Sequence, residues 1–355
     1  MKITIVHASV GGGHKSAALA LCDGFKEKYP DAQVQVLDIL SFNNPIFTYF
    51  YSSGYSMLAI YLKFIWMALY YLSTYTIIRN IFQFISLLHS QKFVNYLIRN
   101  EPDIILCTHF LAPYIVSYLK KEKRISSRLV TVITDFRAHP IWISSECDDY
   151  VVACSHTVGD LTRRGVDPAK IKVLGIPVNK RFVELGKEKI PVESGFRVLL
   201  ATGSLGFMLM EDIADMLHKE INLTIVCGRN KLLFKRLKKK KYHNVDLFGF
   251  TDQMPELMRQ ASLLVTKPGG LSISEGLVME IPLVFIDGIP GQESENSEVL
   301  QRCGCSWQVR RLKDIHEIIM DLKNNPQRVE LLRSNIKKIR KPDATEEICR
   351  LCMQK

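Results

Sequence analysis

Short apolar runs punctuate the first half of the chain at residues 3–8, 34–39, 103–107, 129–134, 150–153 and 171–174. Between most of them lie stretches of helical length, the first being residues 15–29. The runs are short and mainly apolar, as strands covered on both faces are, and their alternation with helical stretches predicts a parallel α/β sheet. A polar, charged stretch at 179–195 breaks the pattern, which restarts at 196–201 and continues through 223–227, 245–248, 263–266 and 283–286. Residues 210–219 are predicted as a helix in this half, and from about Leu312 onward the pattern is helical only. Two α/β domains are therefore expected, residues 1–178 and 179–355, joined by a linker at 179–195.

An aromatic insertion at residues 42–88 interrupts the first domain. Its stretch 42–84 holds 14 of the chain's 33 aromatic residues. From Tyr55 to Ile78 the only formal charge is Lys63, so three readings stand side by side: a membrane span, a buried helix pair, and a surface that dips into a membrane interface. A span would have to pull apart the sheet that both flanks build. The Tyr, Trp, Ser and Thr content favours the interface, and Lys63, Arg79, Lys92, Lys120, Lys121, Lys123 and Arg124 are available to anionic headgroups.

The formal net charge of +11 implies anionic partners. No nucleic-acid-binding motif accompanies that charge, so a nucleic-acid partner is not expected. The cluster at 235–241, with Lys235, Arg236, Lys238, Lys239, Lys240 and Lys241, suits either anionic lipid or a solvated helix face. Nine scattered cysteines point to a reducing compartment. Cys349-x-x-Cys352 and Cys303-x-Cys305 lack zinc-finger spacing with histidines, so buried thiols are the expected reading and no metal site is assigned. Residues 1–7 run straight into an apolar strand without a basic flank, so no signal peptide is expected.

Candidate chemistry gathers at the ends of strands. Gly11-Gly12-Gly13-His14-Lys15-Ser16 follows the first strand and opens the first helix, where free backbone N–H groups favour an anion or developing negative charge. His14 stands where a Walker loop needs Gly, and Ser16 where a dinucleotide fingerprint needs Gly or Ala. An imidazole at a helix N-terminus is held neutral, which suits a general base. In the second half Lys267-Pro268-Gly269-Gly270-Leu271-Ser272-Ile273-Ser274-Glu275 repeats the strand, glycine turn and helix arrangement. Its backbone N–H groups suit a pyrophosphate, and Glu275 suits a ribose diol. Thr202-Gly203-Ser204-Leu205-Gly206 and Pro290-Gly291-Gln292-Glu293 with Asn296 also follow strands, at the sheet edge where open α/β folds bind ligands.

Together the segments GGGHKSAA, TDFRAHPIW, GIPVNKRF, TGSLG, KPGGLSISEGL and PGQESEN resemble glycosyltransferase family 28 over nearly the whole chain. The resemblance is strongest to its diacylglycerol glucosyltransferase and monogalactosyldiacylglycerol synthase branch. It implies the GT-B architecture, an α/β fold of two Rossmann-like domains facing a cleft, with a C-terminal helix returning to the first. It implies an acceptor domain that meets diacylglycerol at the membrane and a second domain that binds a UDP-sugar. Catalysis is assigned by the resemblance to His14 and Asp135, and the acceptor surroundings to Gly12, Gly13, His139 and Trp142. The UDP-sugar is assigned to Ser204, Phe250, Thr251, Gly269, Gly270, Leu271, Glu275, Gln292, Glu293 and Asn296. The chain departs from its relatives after Gly175-Ile176-Pro177-Val178, where Asn179, Lys180 and Arg181 stand in place of the usual Arg.

The implied reaction is inverting transfer of a hexose, glucose or galactose, onto the diacylglycerol hydroxyl, with the possibility of further sugars, at the cytoplasmic face of an anionic membrane. No Asp-x-Asp pair is present, and neither metal nor cofactor is expected. The alternatives are an N-acetylglucosaminyltransferase acting on a lipid-linked cell-wall precursor, and a UDP-sugar or lipid sensor of the same fold.

Overall fold

The computed structural model describes residues 1–44, 48, 51, 54, 62–187, 195–203, 209–286 and 288–354. They form two compact units, each built on a six-stranded sheet whose adjacent strands pair in parallel. The first comprises 1–179, 289–295 and 343–355; the second comprises 180–288 and 296–342.

In the first unit the strands are β1 (Lys2–His7), β2 (Gln33–Asp38), β3 (Ile104–Cys107), β4 (Arg128–Val132), β5 (Asp149–Val151) and β6 (Ile171–Lys172), in spatial order β2-β1-β3-β4-β5-β6. Ile3, Ile5, Ile105, Leu106, Leu129, Val130 and Val132 are fully buried, as strands covered on both faces require. The chain order reverses between β1 and β3, and this switch point is where the loops at the carboxyl ends of strands leave a crevice. Helices α1 (Gly13–Lys28), α2 (Lys63–Leu72), α3 (Thr76–His89), α4 (Gln91–Asn100), α5 (Leu111–Lys121) and α6 (Ser155–Thr162) lie in the part of this unit that precedes residue 180.

Asp160 on α6 is a fixed point of this unit. Its carboxylate is 2% exposed and accepts from Arg137 Nε at 2.7 Å, Arg163 Nη2 at 2.8 Å and the Ala138 N–H at 3.0 Å. Replacing it by alanine strands a buried N–H, while both arginines regain water. Asp160→Ala is expected to cost about 2–3 kcal/mol in denaturant unfolding, and a loss below about 0.5 kcal/mol would remove this role.

Helices α2 and α3 of the aromatic insertion turn much of their apolar surface outward. Helix α2 has no buried residue, and α3 buries Gln83, Ser86 and Leu87 while Ile77 (76% exposed), Ile81, Phe84 and Leu88 face outward. The described part of the insertion is thus not a buried helix pair. No helix among the described residues is long and apolar enough to cross a membrane. Residues 45–47, 49, 50, 52, 53 and 55–61 of the insertion lie outside the described residues.

The second unit carries β7 (Arg197–Ala201), β8 (Asn222–Val226), β9 (Val245–Phe248), β10 (Leu263–Thr266), β11 (Leu283–Phe285) and β12 (Ser306–Gln308), ordered β12-β11-β10-β7-β8-β9. This is the doubly wound dinucleotide-binding order, with its switch point between β7 and β10. Helices α7 (Lys180–Gly186), α8 (Leu209–Leu217), α9 (Lys231–Lys239), α10 (Met254–Arg259), α11 (Gly270–Val278), α12 (Gln292–Arg302), α13 (Ile315–Asn324) and α14 (Pro326–Ile339) surround it; the first turn of α12 counts with the first unit.

Two expectations need correction here. The predicted linker at 179–195 includes helix α7, which is packed: a Cβ on Gly186 would stand 2.8 Å from the Val278 carbonyl. Arg181 pairs with Glu256 at 2.6 Å. Strand β12 lies within a stretch in which the apolar pattern showed none, since three residues carry too little periodicity to register.

The last helix, α15 (Ala344–Met353), belongs to the first unit. It lies close on α1, where Gly24 leaves the room: a Cβ there would meet Thr345 Cγ2 at 2.7 Å. Arg128 donates to the carbonyls of Leu351 (3.1 Å) and Gln354 (2.8 Å), placing a cation at the negative end of this helix. Cys349 and Cys352 are buried at 0% and 3% exposure, both facing the core shared with Ile3, Leu21 and Phe25.

Candidate active site

The first cluster of chemistry lies at the β1/β3 switch point. Gly11 takes φ +69°, a conformation that favours glycine, and lets the chain turn from β1 into α1. Gly12 caps α1 and Gly13 begins it, so His14 occupies the first turn. Its Nδ1 lies 2.8 Å from the Thr108 carbonyl and 2.9 Å from Thr134 Oγ1. A carbonyl can only accept, so Nδ1 carries the proton and Nε2 is the basic nitrogen. Thr108 Oγ1 donates to the His14 carbonyl at 2.9 Å, fixing the same turn a second time.

Burial pushes the His14 imidazole down to about 4, against the opposing pull of the Thr108 hydrogen bond. It is therefore neutral near physiological pH, the form a proton acceptor needs. His109 packs edge-on at 4.6 Å between ring centroids and is held well below the usual range by its own burial. Trp142, 2% exposed, lies 6.4 Å from the His14 ring.

Asp135 is 3% exposed, and both its oxygens accept from Gln292 Nε2 at 2.8 Å. The structure thus joins one residue expected at the catalytic centre to one expected at the donor sugar, both within the first unit. Glu293 closes its own turn, accepting the Ile289 N–H at 2.6 Å. His139 engages the backbone with both ring nitrogens. Nε2 faces the Tyr70 carbonyl at 3.2 Å and Nδ1 accepts the Ile141 N–H at 3.2 Å, which orients the ring as a structural bracket. Burial foremost lowers it to about 4, with the Arg164 and Arg79 charges acting in the same direction.

The second cluster lies at the β7/β10 switch point. Gly203, at φ +81°, leaves β7 with its Cα facing Lys267; a Cβ there would be 3.5 Å from Lys267 Cε. Gly269 caps α11, and Gly270 and Leu271 form its first turn, with the N–H groups of that turn open to an anion. Desolvation alone pushes the Glu275 carboxyl on α11 up to about 8. Asn296, fully buried, donates to the Pro268 carbonyl at 3.2 Å and braces the glycine turn. Phe250 is 68% exposed with the Arg229 guanidinium 5.3 Å above its ring, and Thr251 Oγ1 accepts the Gln253 N–H at 3.1 Å. Ser204 lies outside the described residues.

Three participants escaped sequence reasoning: Thr108, Thr134 and Arg229. Each lies one to three residues past the end of a strand, at the carboxyl edge. That position is readable from the apolar runs; their hydrogen bonds depend on which strands become neighbours. The basic cluster at 235–241 is partly neutralised, since Arg236 reaches Glu211 at 2.8 Å and Lys240 pairs with Glu211 and Asp215. This favours the solvated-face reading.

Residues 14–178 match the family description "Monogalactosyldiacylglycerol (MGDG) synthase", and residues 197–348 match "Glycosyltransferase family 28 C-terminal domain". A processive diacylglycerol beta-glucosyltransferase from Staphylococcus epidermidis is 30% identical over 98% of this chain and 91% of its own length. The chain belongs to glycosyltransferase family 28. The enzyme of the same name from Staphylococcus aureus is 29% identical over the same shares. Among solved structures, Acinetobacter baumannii MurG shares the fold at TM-score 0.67 and 14% identity, covering 99% of both chains. Anabaena Alr3699/HepE, in complex with UDP and glucose, shares it at TM-score 0.57 and 15% identity, over 99% of this chain and 98% of the other.

Proposed function

We propose that this family 28 glycosyltransferase moves a hexose from a UDP-sugar to the hydroxyl of diacylglycerol, with inversion, at the cytoplasmic face of a membrane. The observation that carries this reading is His14, held in a single tautomer by the Thr108 carbonyl and kept neutral by burial, at the strand switch of the first unit. The acceptor oxygen attacks the anomeric carbon as its proton passes to His14 Nε2. The bond from that carbon to the UDP oxygen breaks on the opposite face, so an α-linked donor yields a β-glycoside. Charge growing on the diphosphate is met by the N–H groups opening α11, with Lys267 nearby, and Glu275 holds the ribose diol. Phe250 and Thr251 frame the uracil.

The outward apolar face of α2 and α3 supports the acceptor assignment. Phe64 at 85% and Ile77 at 76% exposure lead a surface that also includes Ile65, Ile81 and Phe84, with Lys63 and Lys92 exposed beside it. An amphipathic surface of this kind lies in the interface plane. Phe64→Asp with Ile77→Asp is expected to lower sedimentation with anionic vesicles about tenfold or more while leaving UDP affinity unchanged. Undiminished vesicle binding would move the membrane contact elsewhere.

The function itself is tested by supplying UDP-glucose or UDP-galactose with diacylglycerol vesicles and reading the anomeric proton coupling of the product. A β-linked hexosyl-diacylglycerol is expected. An α-linked product would overturn direct displacement, and transfer confined to N-acetylglucosamine on a lipid-linked precursor would overturn the acceptor.

A further inference from the structure

Helix α2 is apolar at every position except Lys63, yet none of its residues is fully buried. Trp66 and Tyr70, one turn apart, share one side of it, while Phe64 and Tyr71 point the other way. The first side grips the turn that leads into α12. The Trp66 indole donates to the Pro290 carbonyl at 3.0 Å, and the Tyr70 hydroxyl donates to Glu295 Oε2 at 3.0 Å. Between them lies Gly291 at φ +88°, so close to the Tyr70 ring that a Cβ would stand 2.6 Å from a ring carbon. The Tyr70 ring also packs 4.6 Å from His139, and the next residue in this turn, Gln292, is the one bridged to Asp135.

We propose that Trp66 and Tyr70 are positioning residues for the Pro290–Glu295 turn, so that the helix offering an apolar face to lipid also sets the turn that reads the donor sugar. This rests on the reading above that Gln292 and Glu293 hold sugar hydroxyls. Lipid covering the outer side of α2 immobilises the helix, and its inner side passes that order to the turn through two hydrogen bonds and one ring contact. Donor binding is thereby coupled to the presence of a membrane without any direct contact between donor and lipid.

The test uses Tyr70→Phe, which deletes one hydroxyl, and Trp66→Phe, which deletes one N–H. Both are compared with wild type in phosphatidylcholine–phosphatidylglycerol vesicles containing diacylglycerol. Losing a hydrogen bond to a charged acceptor predicts a KM for the UDP-sugar about tenfold higher for Tyr70→Phe, with kcat less affected and the affinity for UDP alone unchanged. Wild-type KM in both variants would overturn the proposal. An equal loss of UDP affinity, or of thermal stability, would also overturn it by making the contacts merely structural.

Amide hydrogen exchange over residues 289–295 provides an arm independent of turnover. Vesicles should increase protection in the wild type and leave Tyr70→Phe unchanged, whereas no change in the wild type would refute the coupling. If the wild type transfers no hexose while this protection difference is present, the functional reading fails and the mechanical link stands.

Discussion

His14→Ala is expected to lower glycolipid turnover about a thousandfold, the range a positioned general base contributes, while UDP affinity stays unchanged. UDP is assigned to the second unit, and His14 lies in the first. Neutrality of His14 gives the prediction a pH signature. Its imidazole is pushed from the ordinary 6.5 down to about 4, so kcat/KM should show no acid limb near 6.5. Stability runs differently with pH. His7, His14, His109 and His139 all have lowered values when folded, so below 6.5 the unfolded chain binds more protons than the folded one. The stability present above 6.5 is therefore lost as pH falls toward 4, and unfolding should overtake the loss of the base. Turnover within about tenfold of wild type in a folded His14→Ala protein would remove it as the base.

Glu275→Ala is expected to weaken UDP binding about a hundredfold, because a carboxylate accepting two ribose hydroxyls makes two charge-assisted hydrogen bonds. Calorimetry with UDP and with its 2′-deoxy analogue separates this role from general damage. The deoxy analogue should lose far less than UDP does on substitution, and equal losses would contradict ribose recognition. Burial pushes this carboxyl up to about 8, so only about a tenth of it is ionised near neutral pH. UDP affinity should accordingly rise about tenfold as pH climbs through 8. The same shift costs stability in the free enzyme. Between 4.5 and 8 the folded chain holds the extra proton, so this group destabilises the fold as pH rises across that window. Glu275→Gln should thus stabilise the ligand-free protein at alkaline pH while weakening UDP.

Much of the fold was legible because parallel strands buried on both faces leave unbroken apolar runs, as at Ile104–Cys107 and Leu263–Val265. Short edge strands leave none, so the apolar pattern does not mark β12 and extends β6 past Lys172. The boundary between units was less legible. Residues 289–295 and 343–355 join the first unit through particular contacts, Trp66 with Pro290 and Gly24 with Thr345, that no local pattern announces. The insertion is legible as aromatic, but the outward apolar face of α2 and α3 is not, because composition cannot tell which side of a helix meets protein.

At the site, His14 and Glu275 stood out because a glycine turn precedes each at a helix start. The partners of His14 did not. Thr108 and Thr134 lie far from it in sequence and meet it only because β3 and β4 follow β1 in the sheet. Arg181, which the family resemblance brought forward, is engaged by Glu256, a pairing visible only once α7 meets α10.

In the proposed reaction UDP is released only as its sugar reaches a lipid hydroxyl. This is tested most directly by measuring UDP release and glycolipid mass together, with vesicles that contain or lack diacylglycerol. UDP and hexosyl-diacylglycerol appearing in proportion, both dependent on diacylglycerol, is the predicted result. UDP release that is equally fast without diacylglycerol, or tight UDP-sugar binding with no glycolipid formed, would contradict it.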